Sequence, residues 1–139
     1  LVSACLLGLC CRYDGCAKPN AAVLALREGH TLIPVCPETA GGLPIPREPS
    51  ERVGARVLSR SGRDVTAEYA LGAQTAEALA RRFGCKKALL KANSPSCGTG
   101  QIYDGTFSGT LIPGDGMAAE RLRAMGVAVY SEKETGALL

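Results

Sequence analysis

Three of the seven cysteines follow apolar stretches that predict buried strands: Cys5 follows "LVSA", Cys36 follows "HTLIPV" and Cys97 follows "ALLKANSPS". Thiolate ligands select zinc, copper(I) or iron–sulfur clusters. A structural zinc site usually takes four ligands, often from paired C-x-x-C motifs, and this sequence has no such pair. Three cysteines on separate loops favour a [4Fe-4S] cluster in which one iron lacks a protein ligand and could act as a Lewis acid.

The other four cysteines are interpreted differently. Cys85 follows Gly84 at a predicted helix end, and we interpret it as structural. Cys10, Cys11 and Cys16 are grouped in "GLCCRYDGC", where they could form a zinc or redox group, provide a substitute ligand or be spare. For these three cysteines we favour thiols that are spare or lie near the metal ligands without binding the metal. A cysteine at a strand end can also be just a small buried apolar residue, and this alternative applies to each of the first three taken singly.

Composition narrows the class of protein. Apolar residues make up 46% and charged residues 21% of the chain, which predicts one globular domain over residues 1–139. The net charge of +3 is too small to indicate a nucleic-acid partner. No apolar run approaches the ~18 residues of a membrane span, and the first residues lack a signal-peptide pattern. We therefore expect a cytoplasmic protein with no membrane partner. In the reducing cytoplasm, clustered cysteines more often bind metal or do chemistry than form disulfides.

The elements that must position the cysteines alternate along the chain. Four short apolar strands are predicted, at 1–4, 31–35, 85–91 and 127–131. Three helices are predicted between them, at 19–29, 64–84 and 114–126. This alternation predicts an α/β fold, a small doubly wound parallel sheet of about four strands with helices on both faces. Because the carboxyl ends of parallel strands share one edge of the sheet, Cys5, Cys36 and Cys97 are expected to meet there.

The helix at 64–84 has the clearest pattern in the chain. Asp64 is its expected N-cap and Gly84 its stop. The residues expected on its buried face recur at helical spacing: Val65, Tyr69, Ala76, Leu79, Ala80 and Phe83. Asp115 is likewise the expected N-cap of the last helix, which Gly126 ends.

The segments outside these elements are rich in turn residues. Residues 37–54 contain many Gly and Pro and are expected to form an irregular loop. Residues 55–65 are expected to form a short strand, or a hairpin that turns at Ser61 and Gly62. His30, the one histidine, stands at a predicted helix–strand junction away from the cysteine edge, so a histidine-based mechanism is not expected.

Four motifs follow one another over nearly the whole chain: "SACLLG" with "CRYDG", "PVCPETAGGLPIPREPSE", "KANSPSCG" and "YDGTFSG". Together they resemble the motifs of the thiouracil desulfidase family. The resemblance implies a [4Fe-4S] cluster with three cysteine ligands and one open iron. By motif, those ligands correspond to Cys5, Cys36 and Cys97. These are the same three cysteines that the predicted topology brings together.

The resemblance also implies an enzyme, a non-redox iron–sulfur desulfidase that cleaves a carbon–sulfur bond. Its substrate would be a small thiolated pyrimidine such as 2- or 4-thiouracil, converted to uracil with release of hydrosulfide. The soft substrate sulfur would bind the open iron. The family places an acidic residue and a serine beside the cluster, and these match Glu38 and Ser94. Glu38 would serve as general base or proton shuttle.

Each of these residues also has a simpler structural interpretation. Glu38 could pair with Arg47 or cap a turn, and Ser94, which precedes Pro95, could simply form a turn through its hydroxyl. Four further residues are predicted either to contact the substrate or to stabilise their own loops and charges: Arg12, Asp14, Lys91 and Ser96. The glycines of "YDGTFSG" are expected to shape the pocket walls.

Three other functions stay open on the sequence alone. The thiols could hold a metal or cluster without catalysis, or a cysteine pair from the "GLCCRYDGC" group could do redox chemistry. The same desulfuration could also act on a nucleoside or on tRNA, although the modest net charge favours a small molecule. The sequence does not choose between the 2- and 4-thio positions, and it does not fix the oligomeric state.

Overall fold

The structure is a computed structural model that describes residues 1–138. Its strands are β1 (Val2–Ser3), β2 (Pro34–Val35), β3 (Ser50–Val53), β4 (Arg56–Ser59), β5 (Lys87–Leu90), β6 (Gln101–Tyr103), β7 (Leu111–Pro113) and β8 (Ala128–Ser131). Its α-helices are α1 (Ala21–Ala25), α2 (Pro37–Ala40), α3 (Thr66–Arg82) and α4 (Met117–Ala124). Short 3-10 helices span Ala4–Leu7, Leu26–Glu28 and Glu132–Leu138.

Four strands form one parallel sheet in the order β2-β1-β5-β8. Val2 pairs with Pro34 on one side and with Leu89 on the other, so β1 lies inside the sheet. After β1 the chain adds β2 on one side of β1. The next strand of the sheet, β5, lies on the other side of β1. The predicted parallel α/β sheet is confirmed, and strand order reverses around β1.

The sheet buries both of its faces. Alternate residues of each strand point to opposite sides, so Leu1 and Leu90 pack with α3 and α4, while Val2 and Leu89 pack with α1 and the last 3-10 helix. Burial on both faces explains why the strands are short apolar runs without alternation. Helices on both faces were predicted, and the structure confirms them. Within residues 1–138, every helix is too short or too polar to cross a bilayer.

Helix α3 buries a face made mostly of small residues: Tyr69, Gly72, Ala73, Ala76 and Ala80. A Cβ atom at Gly72 would lie 1.8 Å from the carbonyl oxygen of Pro37, so glycine is required for α2 to pack this closely on α3. The prediction for Phe83 was wrong: the residue is 53% exposed, because the helix ends at Arg82 and Phe83 leaves the buried face. Asp64 lies one residue before the N-cap, yet its carboxylate still accepts the Thr66 N–H at 2.9 Å.

The expected loop at residues 37–54 was wrong in part, since it contains α2 and β3. Strand β3 pairs antiparallel with β4, and Val53 faces Arg56, so this hairpin turns at Gly54 and Ala55. A second turn does occur at Gly62, whose N–H donates to the Ser59 carbonyl at 2.8 Å. That turn leads only to a single bridge, whereas the β3–β4 ladder has four residue pairs.

A hairpin of β6 and β7 follows the third parallel strand and was absent from the prediction. Its three-residue strands are too short to give a clear alternating pattern. Asp115 does not cap α4, whose N-cap is Gly116. The Asp115 carboxylate instead accepts the Gly100 N–H at 2.8 Å and pairs with Arg123 at 3.0 Å. A Cβ atom at Gly116 would lie 2.4 Å from the Ser96 backbone, so the chain needs glycine there.

Candidate functional site

A cavity of about 470 Å³ opens at the carboxyl edge of the parallel sheet. Its walls come from the segments after β1, β2 and β5 and from the two antiparallel hairpins. The cavity therefore lies where strand order reverses, the usual ligand position in open α/β sheets. Its volume is typical of sites for small molecules.

The three predicted ligands all line this cavity. Cys5 lies in the 3-10 helix that follows β1, Cys36 is the N-cap of α2 directly after β2, and Cys97 lies in the loop after β5. Each thiol is placed by the end of a different parallel strand. The topology thus brings together residues that are 31 and 61 positions apart in the sequence.

Burial disfavours the thiolate form of two of these side chains, Cys5 and Cys97. It raises the pKa of the Cys97 thiol to about 12. Burial also raises the pKa of Cys5, and the neighbouring Cys36 raises it further. Thiolates crowded into one cavity therefore need positive charge to compensate them.

Cys11 is a fourth thiol of the cavity and is also buried. The Cys36 thiol approaches the Cys11 carbonyl oxygen at 3.7 Å, and burial followed by the proximity of Cys36 raises the pKa of Cys11 to about 12. Cys10 and Cys16, which surround it in the sequence, are both exposed. The structure thus divides the "GLCCRYDGC" group, and nothing in the spacing distinguished Cys11 from its neighbours.

The arrangement of the Cys5, Cys36 and Cys97 thiols bears on whether the site suits a single metal ion or a [4Fe-4S] cluster. Within residues 1–138, no three His, Cys, Asp or Glu side chains lie close enough to bind one metal ion together. A four-iron cluster is larger than a single ion and takes its cysteines at separate corners. Three thiols around one cavity, each from a different loop, fit such a cluster better than a single ion.

Glu38 lies in the first turn of α2 and faces the same cavity. Its Oε1 atom accepts a hydrogen bond from the Arg47 Nε atom at 3.1 Å, and the Arg47 Nη2 atom lies at the same distance in an ion pair. Its Oε2 atom accepts a hydrogen bond from the Ser96 hydroxyl at 2.8 Å. The side chains of Glu38 and Arg47 are only 15% and 6% exposed. The ion pair with Arg47 is therefore present and lies within the cavity wall.

The two serines of "SPS" have different contacts. The Ser94 hydroxyl accepts the Cys97 N–H at 2.7 Å, which is the turn-forming interaction considered from the sequence. Ser96 donates to Glu38 and lies 3.6 Å from the Cys97 sulfur. The two hydroxyl oxygens are 3.3 Å apart. Ser96 is thus the serine in direct contact with Glu38, and Ser94 reaches the carboxylate through it.

The other three residues predicted to contact the substrate, Lys91, Arg12 and Asp14, each form an ion pair. Lys91 lines the cavity and pairs with Glu132 at 2.8 Å. Arg12 also lines the cavity and lies 3.5 Å from Asp14. Asp14 itself is outside the lining: its carboxylate accepts the Cys16 N–H at 3.0 Å, and this bond is the main reason that its pKa is lowered. Asp14 stabilises its own loop.

Aromatic side chains form another part of the wall, and the sequence analysis did not single them out: Tyr13, Tyr69, Tyr103 and Phe107. Tyr69 is buried, and burial followed by the nearby Glu38 carboxylate raises the pKa of its hydroxyl. The "YDGTFSG" segment does reach the wall, as expected, but through Tyr103 and Phe107 as well as through Gly109.

Comparison with known proteins gives three results. The family model described as 2-thiouracil desulfurase matches residues 1–134. The Bacillus subtilis (strain 168) protein YbbK, whose function is described as uncharacterized, is 40% identical over 149 residues that cover 100% of this chain and 99% of that protein. The solved structure of the [4Fe-4S]-dependent thiouracil desulfidase TudS is 47% identical, with a TM-score of 0.93, covering 99% of this chain and 92% of that one.

Proposed function

The chain belongs to the 2-thiouracil desulfurase family, and from that premise we propose that it is a [4Fe-4S]-dependent desulfidase acting on a thiolated pyrimidine. The observation that carries the proposal is the cavity, where three thiols from separate strand ends lie beside an ion-paired carboxylate. The likeness to TudS, which is named as a [4Fe-4S]-dependent thiouracil desulfidase, supports the same activity.

Cys5, Cys36 and Cys97 are the proposed ligands of the cluster. A cluster with three cysteine ligands leaves one iron open, which supplies a Lewis acid for the soft thiocarbonyl sulfur of the substrate. Because the pKa values of Cys5 and Cys97 are raised, these thiols must release protons when they bind the cluster, whose positive iron ions then stabilise the thiolates. Cys11 lies outside this set, and its carbonyl oxygen accepts a hydrogen bond from the Cys36 thiol.

The proposed reaction adds one water to the thiocarbonyl carbon and releases one hydrosulfide and one proton to solvent, with no gain or loss of electrons. Glu38 takes the proton of the water at its Oε2 atom, since Oε1 is held by two nitrogens of Arg47. Ser96 donates to Oε2, and Ser94 is its neighbour. These two hydroxyls provide a path by which the proton reaches the departing sulfur.

The proposed substrate is a free base or a small nucleoside. The cavity has the volume of a small-molecule site, and the net charge of +3 gives no basis for binding a nucleic-acid backbone. Arg12 and Lys91 line the cavity and are the proposed hydrogen-bond donors to the pyrimidine oxygens.

The test is reconstitution of the protein with iron and sulfide without oxygen, followed by assays of hydrosulfide release. We expect a broad absorption in the blue region, about four irons per chain and hydrosulfide from 2-thiouracil, 4-thiouracil or both. Assays with 4-thiouridine separate a base-specific enzyme from one that accepts nucleosides. A protein that stays colourless, or that takes up four irons and releases no hydrosulfide from any of the three compounds, would contradict the proposal.

A further inference from the structure

Phe107, in the loop between β6 and β7, has a left-handed backbone with φ of 56°. Among residues 1–138, Asn93 and Phe107 are the two residues other than glycine with positive φ. Asparagine tolerates this conformation, but a bulky aromatic residue does so only at a cost. Such outliers persist where the surrounding structure imposes them, and they concentrate at functional sites.

A buried carboxylate imposes this conformation on the loop. Glu51 of β3 is only 8% exposed, and its Oε1 atom accepts the N–H groups of Gly105 at 2.9 Å and Phe107 at 3.1 Å. Hydrogen bonds between side-chain hydroxyls stiffen the same loop. The hydroxyl oxygens of Thr106 and Ser108 are 2.6 Å apart, and those of Ser108 and Thr110 are 2.8 Å apart. The backbone of Phe107 is therefore held firmly.

Phe107, held in this conformation, is one of the residues that line the cavity that contains the cysteines. The guanidinium carbon of Arg60 lies 5.6 Å from the centre of the ring, within range of a cation–π interaction. Arg60 lines the same cavity, so its guanidinium helps to fix the orientation of the ring at the cavity wall. Glycine would adopt this backbone without strain, so the aromatic ring is what phenylalanine adds at this position.

We propose that Phe107 is a substrate-binding residue whose ring stacks on the pyrimidine ring of the substrate. This inference rests on the proposed function, because a planar heteroaromatic base is the ligand that an aromatic wall recognises. Stacking is indifferent to which ring position carries sulfur, so Phe107 binds 2- and 4-thio isomers alike. It restricts ring orientation, while Arg12 and Lys91 select the exocyclic atoms.

The first test is the variant Phe107→Gly, with Phe83→Ala as matched control. Phe83 is the other phenylalanine of the chain and is exposed at the opposite edge of the sheet. Removing the ring should raise KM for thiouracil about tenfold, the size of one lost base-stacking contact, with a smaller change in kcat. The melting temperature should stay level or rise, since glycine relieves the backbone strain. Phe83→Ala should leave KM within twofold of the wild type.

A second test uses the absence of tryptophan from the chain. Phe107→Trp and Phe83→Trp each place a single indole in the protein, and Phe107→Trp should keep a low KM because it keeps a stacking surface. Uracil, at concentrations that halve the activity, should change the fluorescence of Phe107→Trp and leave that of Phe83→Trp unchanged.

A KM for Phe107→Gly within twofold of the wild type, or an unchanged Phe107→Trp signal under those conditions, would overturn the role of Phe107 while leaving the desulfidase proposal intact. Loaded wild-type protein that releases no hydrosulfide would overturn both.

Discussion

At the carboxyl edge of the parallel sheet, a cavity of about 470 Å³ holds four cysteines, whereas a second cavity of about 420 Å³ at the amino edge holds Cys85, Phe83 and His30. The volumes are similar and both walls combine a cysteine, an aromatic ring and lysine. The difference lies in the surroundings. The carboxyl edge has buried thiols and a carboxylate with two hydrogen bonds and an ion-pair contact, while Phe83 at the amino edge is 53% exposed.

This comparison shows that residue types alone do not define the site. Strand ends of a parallel sheet converge, so side chains that follow β1, β2 and β5 share one environment. Cys85 lies before β5, at the end where helices enter the sheet, and it is the one cysteine among the described residues that line its cavity. The chemistry follows from which end of the strand a cysteine occupies.

The largest expected effect comes from exchanging one cysteine at each edge. Cys36→Ser should lose the cluster, because a serine hydroxyl is a hard, weakly acidic ligand for iron that prefers thiolates. Cys85→Ser should keep about four irons per chain and full hydrosulfide release. Iron and acid-labile sulfide counts after reconstitution without oxygen measure both. Equal iron content in the two variants would remove the distinction between the edges.

A smaller but still large effect is expected when Glu38 becomes Gln. The amide keeps the size of the side chain and removes the proton acceptor, so kcat/KM should fall about 100-fold or more. Iron content should be unchanged. Glu28→Gln, at the exposed end of the helix that precedes His30, is the control and should keep kcat/KM within twofold. Loss of iron together with activity would assign Glu38 a structural role.

Much of this arrangement could be predicted from the sequence because it depends on topology. The alternation of apolar strands and helices determines a parallel sheet, and the sheet determines that Cys5, Cys36 and Cys97 converge. The importance of Glu38 and Ser94 came from family resemblance, and the roles proposed for them remain predictions.

Other parts of the site depend on local geometry that spacing does not encode. Ser94 and Ser96 are two residues apart on one turn, and only the path of that turn puts Ser96 against Glu38. Cys11 enters the cavity while the adjacent Cys10 stays in solvent. The conformation of Phe107 depends on a carboxylate 56 positions earlier, a contact that neither propensity nor periodicity indicates.

An intermediate effect on stability is expected from Gly72→Ala. Its new Cβ would lie 1.8 Å from the Pro37 carbonyl oxygen, so α2 and its Glu38 must move away from α3. Overpacking of this kind costs about 1–3 kcal/mol of unfolding free energy. Gly29→Ala, beside His30 at the amino edge, meets no atom within 4 Å and should be nearly neutral. Urea denaturation compares the two, and equal midpoints would show that α2 tolerates displacement.

The smallest effect is expected at Glu77, a carboxylate that resembles Glu38 in having an arginine partner but lies outside the cavity, between α3 and α4. Hydrogen bonds from Arg121 and then from Arg81 lower the pKa of Glu77 and link α3 to α4. A lowered pKa in the folded state stabilises the protein above the ordinary carboxyl pKa, and this stabilisation is lost as pH falls through the lowered value. The melting temperature of Glu77→Gln should therefore lie slightly below that of the wild type at pH 7, and the gap should close in acid and in high salt. A gap that persists in acid would mean that Glu77 acts through packing, and the ion pair would then explain nothing about the α3–α4 contact.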